Sequence, residues 1–371
     1  EFCGPSHSSD PQHAESFGMR DTPQLPLPAC FVQQAQKERA LVERHRDVDW
    51  FKAVGIATVV LIHALPHTYS GLEITLLDEW IGQVTHFAVP GFLACSGFLF
   101  AYSSASQSFS AVRGRLERIL LPYLVFSAIA WCHTRALASL GHEVDTTPFP
   151  TKLALFCTMG HYYYVFLISF FVCITPMIAR MPDRLFPLVL AAAMTLQLAL
   201  EIHLVPMPSL FWHIRNPTRL LAPFLLGWQV RRSHDLLRQW INGSWRFVWL
   251  LALLLLNCFC GIGLIVLDLW GDARLIAGWA MTYATLALLL VSVLDRPTAP
   301  WAVLWLSNAS YPLYLSHYFF MAPVFAGWPQ SGNFDAARIV VAWAAGLGGG
   351  VTFVVLSRHA MGEKLARKWL G

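Results

Sequence analysis

Asp49-Trp50-Phe51-Lys52-Ala53-Val54-Gly55-Ile56-Ala57-Thr58-Val59-Val60-Leu61-Ile62-His63 is an apolar run with a charged start and one histidine at its far end. Such a run belongs in hydrocarbon. A titratable side chain placed there is costly, which makes His63 a candidate functional residue by default. The eleven residues from Lys52 to His63 span about 16 Å at the helical rise. Lys52 is therefore expected near one membrane face and His63 near mid-membrane. A cation at one interface and a base at depth suit chemistry between a donor from one side and an acceptor from the other.

The rest of the chain agrees with a membrane setting. Its 371 residues are 56% hydrophobic and only 13% charged, against about 25% charged in soluble domains. This predicts an all-α fold, a polytopic membrane helical bundle. The net charge of +4 then gives no case for nucleic acid, and the basic residues read as topology signals. The eight cysteines form no C-x-x-C pair, so neither a disulfide framework nor a cysteine metal site is expected. No secretory signal peptide is visible.

Residues 1–36 are rich in Pro, Ser, His and Gln and are expected to be a disordered tail. Its Glu1-Phe2 start and internal Met19 suggest that part of it is a cloning remnant. A membrane domain is expected over 37–357, followed by a basic tail at 358–371. About 20 apolar residues make one crossing. On that length ten spans are expected, near 53–69, 81–101, 119–140, 161–179, 185–202, 219–231, 247–267, 275–294, 301–323 and 336–357. A cytoplasmic N-terminus leaves only Arg135, Lys152, Arg215, Arg219, Arg274 and Arg338 of the 26 Lys and Arg on the opposite side. That bias predicts both termini in the cytoplasm.

Four further groups stand out. Ser96-Gly97-Phe98 lies inside an apolar span, where small residues allow close helix approach. Arg115 and Arg118 share one helical face just before Pro122-Tyr123. Their planar forks suit phosphate, although topology alone also calls for arginine there. Ser307-Asn308-Ala309-Ser310-Tyr311-Pro312-Leu313-Tyr314-Leu315-Ser316-His317 places Tyr314 and His317 on one face of the ninth span. Last, His161, Tyr164, Arg215 and Arg219 gather at segments assigned to the outer side, where they could contact a polar acceptor. His203 and His213 lack ligand spacing and a carboxylate cluster, so no metal site is expected.

Taken together and in this order, the motifs resemble the membrane acyltransferase-3 family. Asp49, Lys52 and His63 match its first-span element, and Ser96-Gly97-Phe98 its second. Arg115, Arg118, Pro122 and Tyr123 match the paired arginine before Pro-Tyr. Ser310, Tyr314-Leu315 and His317 match the late element. Phe224-Leu225-Leu226-Gly227 resembles its Phe-x-x-Gly helix. Members more often carry arginine at the position of Lys52, whose point charge lacks the bidentate fork. Tyr163-Tyr164-Val165-Phe166-Leu167 matches the family's Trp-Phe-Leu element only loosely.

The resemblance implies an integral O-acyltransferase of the bacterial inner membrane. It would take an acyl group, typically acetyl, from cytoplasmic acyl-CoA to a saccharide or lipid-linked oligosaccharide. His63 would be the base or an acyl relay, with Asp49 and Lys52 shaping the donor entrance. Acetyl-CoA would be a substrate rather than a resident cofactor, held near Arg115, Arg118, Ser96 and Tyr123. The acceptor would meet His161, Tyr164, Arg215, Arg219, Tyr314 and His317. A transporter or flippase of a polar or lipid-linked substrate is the alternative that ten spans with buried polar groups also allow.

Overall fold

The computed structural model describes residues 45–65, 76–102, 108–139, 145–204, 209–241, 243–266, 272–294, 298–328 and 335–371. The expected N-terminal tail lies outside them. Among the described residues every regular element is helical. In chain order they are α1 (Arg46–Ala64), α2 (Leu76–Thr85), α3 (Ala88–Tyr102), α4 (Phe109–Ser139) and α5 (Phe149–Ala154). A 3-10 turn (Gly160–Tyr162) then leads into α6 (Tyr163–Ala179), α7 (Phe186–Glu201) and α8 (Leu210–Arg215). A second 3-10 turn (Pro217–Leu220) opens α9 (Leu221–Arg232), followed by α10 (His234–Ile241), α11 (Ser244–Val266) and α12 (Asp272–Val293). The chain ends with α13 (Trp301–Gly327), α14 (Ala336–Met361) and α15 (Glu363–Trp369).

Six described stretches are long and apolar enough to cross a membrane: Trp80–Ala101, Phe109–Ser139, Gly160–Ala179, Trp245–Gly263, Ala273–Val293 and Ala336–Met361. Each coincides with an expected span. The other four expected spans also fold as helices, but with features that weaken their apolar signature. α1 carries Arg46, Asp47, Asp49 and Lys52, and α13 carries Ser307, Asn308, Ser310 and His317. α7 and α9 are short.

α1 sits at the centre and packs against α3, α13 and α14. Ile56 and Val60 are fully buried on it, and the Trp343 indole of α14 donates to the Ala57 carbonyl at 2.9 Å. The helix is continuous from Arg46, so its charged start and apolar body form one rod. It stops at Leu65, the residue before Pro66, where helical backbone is sterically disfavoured. α11, by contrast, leaves Leu255, Phe259 and Ile262 exposed. In a bilayer that face meets lipid tails, which are as apolar as leucine.

The closest crossing joins α3 to α9. A Cβ on Gly97 would run into the Phe224 carbonyl, and one on Gly227 into the Ala94 carbonyl. Two sequence motifs, Ser96-Gly97 and Phe224-Leu-Leu-Gly227, thus meet as a backbone-on-backbone contact of the kind small residues permit between membrane helices. The segment after 357 is helical for most of its length. α15 buries Ala366, Leu370 is buried just beyond it, and the helix packs on α4.

Overpacking a tight core typically costs about 1–3 kcal/mol, and occasionally more. At Gly227 the obstacle is backbone, which cannot rotate away. Gly227→Val is expected to lower the melting temperature of the detergent-solubilised protein clearly, whereas Gly348→Val is not. Gly348 has open space where its Cβ would lie. Equal melting temperatures for the two variants would contradict the crossing.

Candidate active site

Three histidines from distant parts of the chain meet in the middle of the bundle. His63 comes from the last turn of α1, His161 from the 3-10 turn before α6, and His317 from α13. Their ring centroids lie 5.3 Å (His63–His161), 5.2 Å (His63–His317) and 4.7 Å (His161–His317) apart. His161 and His317 are buried at 4% and 0% exposure.

A reciprocal clasp brings the second and third together. Tyr162 Oη donates to the Leu315 carbonyl at 2.8 Å, and Tyr314 Oη donates to the His161 carbonyl. The approach to the turn is fixed as well. Tyr123 Oη donates to the Leu153 carbonyl at 2.8 Å, and Arg215 Nε donates to the Leu155 carbonyl at 3.3 Å. Earlier in the same segment, hydrogen bonds from Thr147, then the Lys152 ammonium, hold the Asp145 carboxyl down to about 2. The carboxylate that anchors the buried Lys152 side chain at 3.0 Å is therefore ionised at any physiological pH.

His317 Nδ1 lies 2.8 Å from the Tyr314 carbonyl and 3.2 Å from the Leu313 carbonyl. Carbonyls only accept, so Nδ1 carries the hydrogen and Nε2 keeps its lone pair. His317 Nε2 and His161 Nε2 are both buried without a hydrogen-bond partner among the described residues. Buried polar atoms are normally paired, and an exception calls for a reason.

Two cavities approach this cluster from opposite ends of α1. One, of about 450 Å³, is lined by Lys52, Ser96, Arg115 and Arg118 among apolar neighbours. Arg115 lies with its guanidinium 4.6 Å over the Phe100 ring, and its Nη1 is buried with no hydrogen-bond partner among the described residues. The other, of about 270 Å³, is lined by His63 and His161 together with Gln83, Glu201, Arg219 and Trp279. Val59, Val89, Tyr164 and Tyr314 line both cavities, so the two cavities meet at these four side chains.

A sequence profile described as an acyltransferase domain matches residues 45–358, most of the chain. The chain belongs to acyltransferase family 3. No curated protein and no solved structure gives a significant match to it. A cationic cleft faces one way and a polar cleft the other, and imidazole lone pairs sit beside the place where they meet.

The residues singled out in the sequence fall into two sets. His63, His161, Tyr164, Arg219 and Tyr314 line the polar cavity, and Lys52, Ser96, Arg115 and Arg118 the cationic one. His317 completes the histidine cluster. Asp49, Tyr123 and Arg215 line neither cavity. Asp49 is 5% exposed and accepts a 2.6 Å hydrogen bond from Ser307 Oγ, which ties α1 to α13. Tyr123 stacks on Phe156 at 4.8 Å, and the Arg215 fork is turned to backbone carbonyls. Ser96 Oγ donates to the Phe92 carbonyl of its own helix at 2.9 Å. His203 and His213 stack at 6.2 Å, and His213 Nε2 lies 3.8 Å from the Glu201 carboxylate.

Sequence reasoning missed Glu201, the acidic member of the polar cavity. It is buried at the end of α7 and takes the Arg219 fork through both carboxylate oxygens. A glutamate closing an apolar run was the available signal, since an unpaired carboxylate is rarely left buried. Trp279, over which Arg219 lies at 5.8 Å, left no such trace in an apolar helix.

Removing one partner of a buried pair strands the other charge, at a cost of about 3 kcal/mol or more. Arg219→Gln is expected to lower the melting temperature, and the double variant Glu201→Gln/Arg219→Gln to recover most of the loss. A double variant as unstable as the single one would show that the pair does not act as a unit.

Proposed function

We propose that this membrane acyltransferase moves an acyl group, most simply acetyl, from acyl-CoA to a saccharide hydroxyl of an extracytoplasmic or lipid-linked glycan. The observation that carries the reading is the pair of unlike cavities meeting beside His63. The cationic cavity suits the donor. Lys52, Arg115 and Arg118 can face the phosphates of coenzyme A, and Arg115 Nη1, with no partner among the described residues, is a hydrogen-bond donor in want of an acceptor. The polar cavity suits a sugar. Trp279 offers an aromatic face, while Gln83, Glu201 and Arg219 offer donors and acceptors for hydroxyl groups.

In this reading the donor cavity opens to the cytoplasm, in line with the charge bias of the sequence. α1, α7, α9 and α13 would add four crossings to the six apolar ones, with both termini cytoplasmic. A bacterial inner membrane fits the expected acceptor. The thioester carbonyl reaches the junction at Val59 and Tyr164 from the donor side. His63 takes the proton from the acceptor hydroxyl, the oxygen attacks the thioester carbon, and the coenzyme A thiolate leaves toward its own cavity. Relay through an acyl-His63 intermediate would use the same groups in two steps. The closed bundle excludes water, which would otherwise hydrolyse the thioester.

General-base removal costs about 10²–10⁴ in rate. His63→Ala is expected to lose transfer by that factor or more while keeping its melting temperature. Near-normal turnover would remove His63 from the chemistry. A lost charge-assisted hydrogen bond is worth about 1.5–3 kcal/mol, so Arg115→Ala should bind a non-hydrolysable acyl-CoA about ten- to a hundredfold more weakly. Unchanged donor affinity would leave that arginine with topology alone.

A further inference from the structure

We propose that His63, His161 and His317 form a binding site for a divalent transition-metal ion of the zinc class. One ligand nitrogen from each ring lies within 4.8 Å of the other two. A tetrahedral zinc site with nitrogen ligands at about 2.0–2.1 Å has nitrogens about 3.4 Å apart. Closing the cluster therefore asks for movements of about 1 Å, which small side-chain rotations supply. The chemistry of the ligand set agrees. His161 Nε2 and His317 Nε2 are buried without a hydrogen-bond partner among the described residues, and three imidazoles with no carboxylate favour zinc, cobalt, nickel or copper over magnesium or calcium. The hydrogen bonds from His317 Nδ1 to the Tyr314 and Leu313 carbonyls are the outer-shell support that metal-ligating histidines ordinarily have. They fix the tautomer in which Nε2 can ligate. His63 also lines the polar cavity, so a fourth position would open toward the acceptor side.

Resting on the reading of His63 as base, the site has a consequence for activity. Ligation engages the same lone pair that must take the acceptor proton. The ion and the proton therefore compete for His63, and occupancy silences transfer. No bond to the acyl group is involved, and dissociation of the ion restores the base.

The test uses the full chain, purified in detergent without a polyhistidine tag, stripped by a chelator and then titrated with Zn²⁺ or Co²⁺. Wild-type protein is expected to take one ion per chain at micromolar concentration. With Co²⁺ it should show the visible absorption bands of a four-coordinate, nitrogen-ligated site. Outer-shell partners alone are worth about 10–100-fold in metal affinity, so His161→Gln and His317→Gln should each weaken binding at least tenfold. Transfer by the wild type should fall in step with occupancy. Binding unaltered in both variants, no such bands, or no ion bound at tens of micromolar would overturn the site, and the wild-type spectrum decides even if a variant fails to fold. Transfer that requires the ion would overturn the silencing. Acyl transfer by metal-free protein that takes no ion would remove the site and leave the acyltransferase mechanism standing. Ion binding without transfer in any form would do the reverse.

Discussion

The site depends on two tyrosine hydroxyls, each donating to the other segment's backbone. Tyr162 reaches the Leu315 carbonyl and Tyr314 reaches the His161 carbonyl. In a medium without water, a hydroxyl with no acceptor costs several kcal/mol. The 3-10 turn and α13 therefore cannot part without stranding two donors at once. That penalty holds His161 beside His317, and with them it sets the depth at which His63 meets its partners.

Around the clasp, other polar contacts brace the same elements. Asp49 is held by Ser307, and Arg215 and Tyr123 hold the segment that delivers His161. These residues look functional in sequence because charged or hydroxyl groups in apolar surroundings always do. Their partners are a serine hydroxyl and backbone carbonyls, and carbonyls leave no mark in a sequence. The partners that brace these residues thus became visible only with the fold.

Helix positions were legible because hydrophobic length reports them directly, and all six strongly apolar helices lie where the sequence placed them. The joint motif pattern also identified the family. The convergence of His63, His161 and His317 was not legible, since the three lie on separate elements with no shared periodicity. Each stands out by itself, and metal chemistry was weighed at the cysteines and at His203 and His213, not across these three. Glu201 escaped for a related reason. Its meaning lies in Arg219, reached across a turn and a short helix. The tight crossing of Gly97 on Phe224 and Gly227 on Ala94 was half legible: the small residues marked a close approach without naming the partner.

The junction at Val59, Val89, Tyr164 and Tyr314 has a consequence for the cell's energetics. A protein with polar clefts cut into it from both ends is a potential leak for protons and small ions. Each elementary charge crossing a membrane at 100 mV dissipates about 2.3 kcal/mol. Val59 and Val89 carry no exchangeable hydrogen, and the Tyr314 hydroxyl is already engaged with the His161 carbonyl. The junction is therefore the place where transfer and leakage would share one opening. Substitutions that widen it or make it hydrophilic would turn an enzyme into a weak uncoupler, a toxicity unrelated to any change in its product.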